Sequence, residues 1–157
     1  MKFILLDKVM ELEVGRRIVA VKAVTMAEEY LADHFPSFPV LPGVMIIEGL
    51  VQTAAMLVRV TNNFRQSIIV LEEARNVKYK SFVKPGNLLR MEVQAKNIEE
   101  DNSTFTGVSY VGEQLMVEAR IKLKHFNLSE GNARLEDLDS RIKQEMRHRA
   151  KLVGASL

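Results

Sequence analysis

Cysteine is absent from this 157-residue chain, aromatic residues make up only 6% of it, and it holds just four prolines and three histidines. The lack of cysteine excludes a disulfide framework, a thiolate nucleophile and any cysteine-based metal site, and nothing argues for an oxidising compartment, so a cytoplasmic setting is expected. Scarce aromatics, and the lack of a helix with a basic stripe, speak against nucleic acid as a partner. The opening Met1-Lys2-Phe3-Ile4-Leu5-Leu6-Asp7 is too short for a signal h-region, and the apolar run at 40–58 carries Glu48, Gln52 and two glycines, so neither export nor a membrane span is expected. No internal repeat and no low-complexity segment is visible. What remains, 47% hydrophobic and 27% charged residues with a net charge of +2, is the composition of one compact domain with an adequate core.

Three of the four prolines, Pro36, Pro39 and Pro42, fall within seven residues. Each fixes φ and keeps the residue before it extended, so the segment behind them is a stiff loop. That loop carries His34, whose side chain titrates close to neutral pH and suits proton abstraction. It ends at a helix expected over Val44–Val60, which is apolar on nearly every side and should therefore be buried. Glu48 is the only acid of that helix. A carboxylate withdrawn from water needs a partner, a displaced pKa or a chemical task. Gln52, four residues on and on the same face, is placed to orient it. At the first turn, Gly43 and Val44 bring free backbone N–H groups and the positive end of the helix dipole, which together can hold a developing oxyanion; Gly43 also permits close approach of a substrate carbonyl. Fourteen positions separate His34 from Glu48, too far with a stiff loop between them for helical neighbours.

Alternation of apolar residues predicts strands at 14–25, 67–80, 87–99, 103–112 and 114–126, punctuated by Pro85-Gly86, Glu100-Asp101-Asn102 and Gly112-Glu113. Residues 26–33 read as a polar connection. The expectation is an α+β architecture, one long central helix wrapped by an antiparallel sheet, filling a domain of residues 1–128. Residues 129–157 read as an extension: a turn at Ser129–Asn132, then an amphipathic helix with Leu135, Leu138, Ile142 and Met146 at helical spacing. His125 reads as structural, His148 as an exposed surface group. Residues 75–96 hold Arg75, Lys78, Lys80, Lys84, Arg90 and Lys96 against the single acid Glu92, a local excess of five positive charges that would attract an acidic partner.

The stretch from His34 to Gln52, His-Phe-Pro-x-x-Pro-x-x-Pro-Gly-Val-x-x-x-Glu-x-x-x-Gln, closely resembles the active-site segment of the (3R)-hydroxyacyl-ACP dehydratases of type II fatty-acid synthesis, the FabZ type, which have the hot-dog fold. Leu5–Val9, Val77–Asn87 and Val117–Ala119 share the likeness, which covers roughly residues 1–126. The resemblance implies that His34 is the base, that Glu48 is the acid, that Gly43, Val44, Gln52 and Phe35 bind substrate or its oxyanion, and that no cofactor or metal is needed. It also implies a homodimer in which the histidine of one subunit meets the glutamate of the other, with a trimer of dimers as the higher assembly the resemblance allows. An acyl tunnel is expected beside Phe35, Phe38, Leu41 and Ile47. The partner would be acyl carrier protein, with Lys78, Lys80 and Lys84 as docking candidates. Where the family usually reads Gly-His-Phe-Pro-Gly, this chain reads Asp33-His34-Phe35-Pro36-Ser37; a glycine needed for positive φ would leave Ser37 straining the loop. A hot-dog acyl thioesterase and a non-catalytic acyl-ACP-binding protein remain open as alternatives.

Overall fold

The computed structural model describes residues 3–155. Its centre is helix α1, Gly43–Thr61, as the apolar run foretold. Pro42 ends the loop with an extended ψ and cannot itself continue a helix backwards, so the helix starts on the next residue. Past Asn62 the left-handed φ values of Asn63 and Phe64 turn the chain away. Ile46, Leu50, Ala54, Leu57 and Val58 are fully buried. The helix has the length and hydropathy to cross a membrane, but two thirds of it is covered by its own chain, as befits a core helix. It lies close to the sheet at Gly49, where an added Cβ would fall 2.7 Å from the Met91 sulfur.

Six antiparallel strands form one sheet in the order β1-β2-β4-β5-β6-β3: β1 Lys8–Glu13, β2 Arg17–Ala23, β3 Ile68–Tyr79, β4 Leu88–Ile98, β5 Asn102–Val111 and β6 Gln114–Phe126. Strict alternation buries Leu89, Met91 and Val93 of β4 and Ala119, Ile121 and Leu123 of β6 against α1, leaving charged neighbours outside. This is the expected hot-dog arrangement. The strands beyond the helix fall where alternation put them, but the stretch at 14–25 is shorter and begins after a turn with Gly15 at φ 77°. It is preceded by β1, which the alternation did not reveal because Val9 alone in that strand is buried. The connection at 26–33 includes a single 3-10 turn, Glu29–Leu31, anchored by Leu31 in the core. Strand β3 pairs only with β6; its outer edge is open, with Val70, Leu71 and Tyr79 exposed along twelve residues.

After β6 the chain turns through residues 127–135 into α2, Glu136–Val153, which closes on Gly154 in the left-handed conformation. The buried face of α2 is not the Leu135/Leu138 stripe. Leu138 is exposed, and the helix instead buries Asp139, Ala150 and Val153. Asp139 accepts hydrogen bonds from the Leu128 and Ser129 amides, 2.9 Å each, and from the Ser67 hydroxyl. Burial alone would raise its pKa; these donors outweigh it and hold the carboxyl well below the usual range. A buried acid thus fixes the rotation of the helix, a signal that apolar spacing cannot carry. Ala150, Val153 and Ala155 join the same core as α1 and the sheet.

His125 is buried as expected, with Nε2 2.7 Å from the Ser103 hydroxyl and Nδ1 without a partner. Burial lowers its pKa from the ordinary 6.5, aided by the Arg59 charge and opposed by Asp101 and the Glu100 backbone. The unfolded chain therefore binds the extra proton more readily, so stability falls as pH drops below about 6.5. The urea midpoint should decline between about pH 7.5 and about pH 5.5, and His125→Gln should flatten that slope; an unchanged slope would show that His125 is not held neutral.

Candidate active site

The loop that carries His34 closes on itself. Phe35 and Phe38 exchange backbone hydrogen bonds of 3.1 and 3.0 Å, and the Val40 amide donates to the His34 carbonyl at 2.9 Å. One bond further on, Leu41 donates to the Val83 carbonyl at 2.8 Å, tying the loop to the segment after β3. Prolines 36, 39 and 42 lack N–H groups, so the loop uses the few donors it has, and its stiffness comes from both causes. The His34 Nδ1 lies 3.0 Å from the Val40 carbonyl oxygen. A carbonyl only accepts, so Nδ1 carries the hydrogen and Nε2 of the neutral ring is left with a free lone pair. Phe35 stacks on the imidazole at 4.3 Å between ring centres and limits its rotation.

Glu48 is oriented in the way its spacing foretold. Gln52 Nε2 donates to Glu48 Oε1 at 3.0 Å and to the Phe3 carbonyl at 2.9 Å, while Gln52 Oε1 accepts from the Leu5 amide at 2.9 Å. The amide has one acceptor atom and the Leu5 N–H requires it, so the amide cannot be turned round. Glu48 Oε1 is thereby an acceptor, and Oε2 is the oxygen left for a substrate. The half-buried carboxyl borders a cavity between α1 and α2.

At the start of α1 neither the Gly43 nor the Val44 amide has a backbone acceptor, and Val44 itself is 68% exposed. These are the free donors of a helix N-terminus. Sequence spacing missed the neighbour that uses the missing side chain of Gly43. The Tyr79 ring, at the end of β3, occupies that space: a Cβ on Gly43 would lie 2.5 Å from Tyr79 Cε1. Only strand order could have revealed it, since 36 positions separate the two residues.

Within one protomer no hydrogen bond or ion pair joins His34 to Glu48 among the described residues. Leu41 and Ile47 lie in the core, not along an open tunnel, whereas Phe35, Phe38 and Phe82 are exposed around the loop. Ser37 is exposed and its φ is not positive, so the anticipated strain does not arise. Asp33 points to solvent. The basic run is not one patch, because β4 and β3 lie apart in the sheet, separated by β5 and β6. Lys78 pairs with Glu118 at 3.0 Å, Arg75 with Glu73 at 2.7 Å, and Arg90 with Glu92. Lys84 stays near the His34 loop, with its Nζ 5.1 Å above the Phe38 ring, and Lys80 is exposed just past the end of β3.

The model of the FabA-like domain matches residues 1–121. The chain belongs to the FabA-like family. It is 37% identical over 120 residues to the 3-hydroxyacyl-[acyl-carrier-protein] dehydratase FabZ of Symbiobacterium thermophilum, covering 76% of this chain and 84% of that protein. To the FabZ of Clostridioides difficile it is 34% identical over 119 residues, with the same coverage. Among solved structures, the dehydratase heterocomplex ApeI:P from Xenorhabdus doucetiae superposes with a TM-score of 0.70 at 17% identity over 85% of this chain and 90% of that one, a likeness of fold. This FabA-like chain carries α2 beyond the matched residues.

The Gly43–Tyr79 contact makes an expectation that helix propensity would reverse. Alanine is the better helix former, yet Gly43→Ala must push aside the half-exposed Tyr79 ring, so the variant should gain nothing and lose up to about 1 kcal/mol. In urea unfolding of Gly43→Ala, Tyr79→Ala and the double variant, the double should recover part of that loss; strict additivity would mean that the ring does not press on Gly43.

Proposed function

We propose that this chain is a 3-hydroxyacyl-ACP dehydratase that removes water from a (3R)-hydroxyacyl thioester to give the trans-2-enoyl thioester in acyl-chain synthesis, working in the cytoplasm. The family and the FabZ relatives support this reading, and one observation carries it. Each of the two ionisable groups is anchored through one polar atom and left free at the other: His34 through Nδ1 on Val40, Glu48 through Oε1 on Gln52. An elimination needs a base and an acid held in this way, because each must meet one substrate atom in one orientation.

His34 Nε2 takes the proton from the carbon between the carbonyl and the carbinol. The electron pair forms the new double bond as the C–O bond to the hydroxyl breaks, and negative charge gathers meanwhile on the thioester oxygen. The Gly43 amide at the head of α1 stabilises that charge. Glu48 Oε2 delivers a proton to the departing hydroxyl, which leaves as water. Phe35 holds the imidazole from one side.

The base and the acid come from different protomers. Phe35, Phe38, Val44, Tyr79 and Phe82 form an exposed apolar rim around the loop, next to the open edge of β3. A second copy related by two-fold symmetry would cover the rim and bring the loop of one subunit to the α1 of the other.

His34→Ala and Glu48→Ala should both remain folded dimers, and each should lose roughly 100-fold or more in hydration of a crotonyl thioester. Enoyl absorbance and free thiol are followed together. Near-normal rates in either variant would remove that residue from the chemistry, and thiol release without loss of the enoyl signal would mark a thioesterase.

The substrate arrives on acyl carrier protein, whose acidic surface is drawn to the exposed lysines that follow β3. Reversing Lys80 and Lys84 to Glu should reduce kcat/KM for ACP-borne substrate relative to the same acyl group on a pantetheine thioester, and the difference should shrink as salt rises. An unchanged ratio would dismiss these lysines as the docking surface.

A further inference from the structure

A cavity of about 140 Å³, partly open to solvent, lies beside α1, lined also by the N-terminal segment, the start of β3 and α2. Its volume is close to the ~150 Å³ that accommodates a benzene ring, so it admits a slender group. Glu48 lines it, and so does Arg59, eleven residues further along the same helix. Eleven residues make just over three whole turns, so the two residues share one face with their Cα atoms about 16 Å apart along the axis. Between them the wall is apolar: Leu6, Val51, Ala55, Met56, Ile69 and Met146.

The end away from Glu48 is cationic. Arg59 is 9% exposed and donates to the carbonyls of Gln66 and Ser67 at 3.2–3.3 Å. Those acceptors are neutral and leave its charge uncompensated. Arg149 of α2 lines the same cavity, and neither guanidinium makes an ion pair among the described residues. Burial, and then the charge of Arg149, lower the Arg59 pKa to about 10. Two like charges brought together in a half-dry cavity are costly unless an anion joins them. Glu48, the one acid on the wall, is already held by Gln52 at the far end. The pair is also built deliberately into the fold. Ser67, whose carbonyl accepts from Arg59, gives its hydroxyl proton to Asp139, and Asp139 sets the rotation of α2 that presents Met146 and Arg149.

We propose that this cavity is the acyl-chain channel and that Arg59 and Arg149 close it as a receptor for a carboxylate at the far end of the chain, so that the preferred substrates are ω-carboxyacyl thioesters. This specificity rests on the dehydratase reading and adds to it the chemical class of the acyl group. A plain methyl terminus would leave the two guanidinium groups facing hydrocarbon, which disfavours it. Met146 and Arg149 belong to α2, beyond the residues matched by the family model, so the selectivity is a property of this chain's own extension.

The test compares two 3-hydroxyacyl thioesters of equal length, one ending in a methyl group and one in a carboxylate, on the full chain. The unsubstituted protein should favour the carboxylate-ended substrate in kcat/KM by at least about tenfold, the scale of charge-assisted hydrogen bonds. Arg149→Met should abolish the preference, and Arg59→Lys, which keeps a charge but loses the fork, should reduce it. A preference for the methyl end, or one that survives Arg149→Met, overturns the proposal. Calorimetry of both thioesters on His34→Ala separates the two readings. Absence of turnover of either thioester by the unsubstituted protein, with a binding preference retained in His34→Ala, counts against the dehydratase and for the arginine pair; equal binding of the two thioesters by His34→Ala counts against the pair. Inorganic phosphate should compete with the carboxylate-ended ligand. Binding of phosphate without any preference between the thioesters would assign the site to a free anion and overturn the proposal.

Discussion

The three hydrogen bonds of the Gln52 amide govern much of this structure. They join a core helix to the backbone of Phe3 and Leu5 and, through the same planar group, determine which oxygen of Glu48 is free. A lone carboxylate in an apolar helix would be expensive; a carboxylate held by a neutral donor that is itself locked by the main chain is tolerable and directional. Position, ionisable chemistry and the course of the N-terminal segment are therefore set together. Replacing the amide would disturb all three, which is why its effect cannot be apportioned to catalysis or stability alone.

Much of the fold was readable because period and punctuation agreed. Strands β4 to β6 alternate cleanly and are bounded by Pro85-Gly86, Glu100-Asp101-Asn102 and Gly112-Glu113, and α1 is a single apolar run opened by Pro42 and Gly43. Strand β1 was not legible, because an edge strand with one buried residue leaves no alternating trace. The burial of Asp139 in α2 was not legible for a related reason. A buried aspartate satisfied by three donors looks, in a sequence, like any charged surface residue.

For the site, the residue types and their spacing gave the anchored imidazole and carboxyl, since Glu48 and Gln52 sit one helical turn apart and the prolines demand a rigid loop. What lay out of reach was everything contributed by distant strands. Tyr79 over Gly43 and the neutralisation of Lys78 by Glu118 are products of sheet order. The basic run likewise looked contiguous only along the chain. The serine after Pro36 seemed to threaten the loop, but the backbone there never enters the left-handed region, so no glycine was required.

The unpaired border of β3 has a consequence beyond geometry. Twelve residues of strand present unmet donors and acceptors to solvent beside an oily rim, and bulges at Leu71/Glu73 and Arg75/Lys78 interrupt its pairing with β6. Such a border recruits whatever strand it meets first. The two bulges work against this, since they bend the strand out of the flat form that an incoming strand would match, and so the irregularity of β3 guards the protein against indiscriminate pairing.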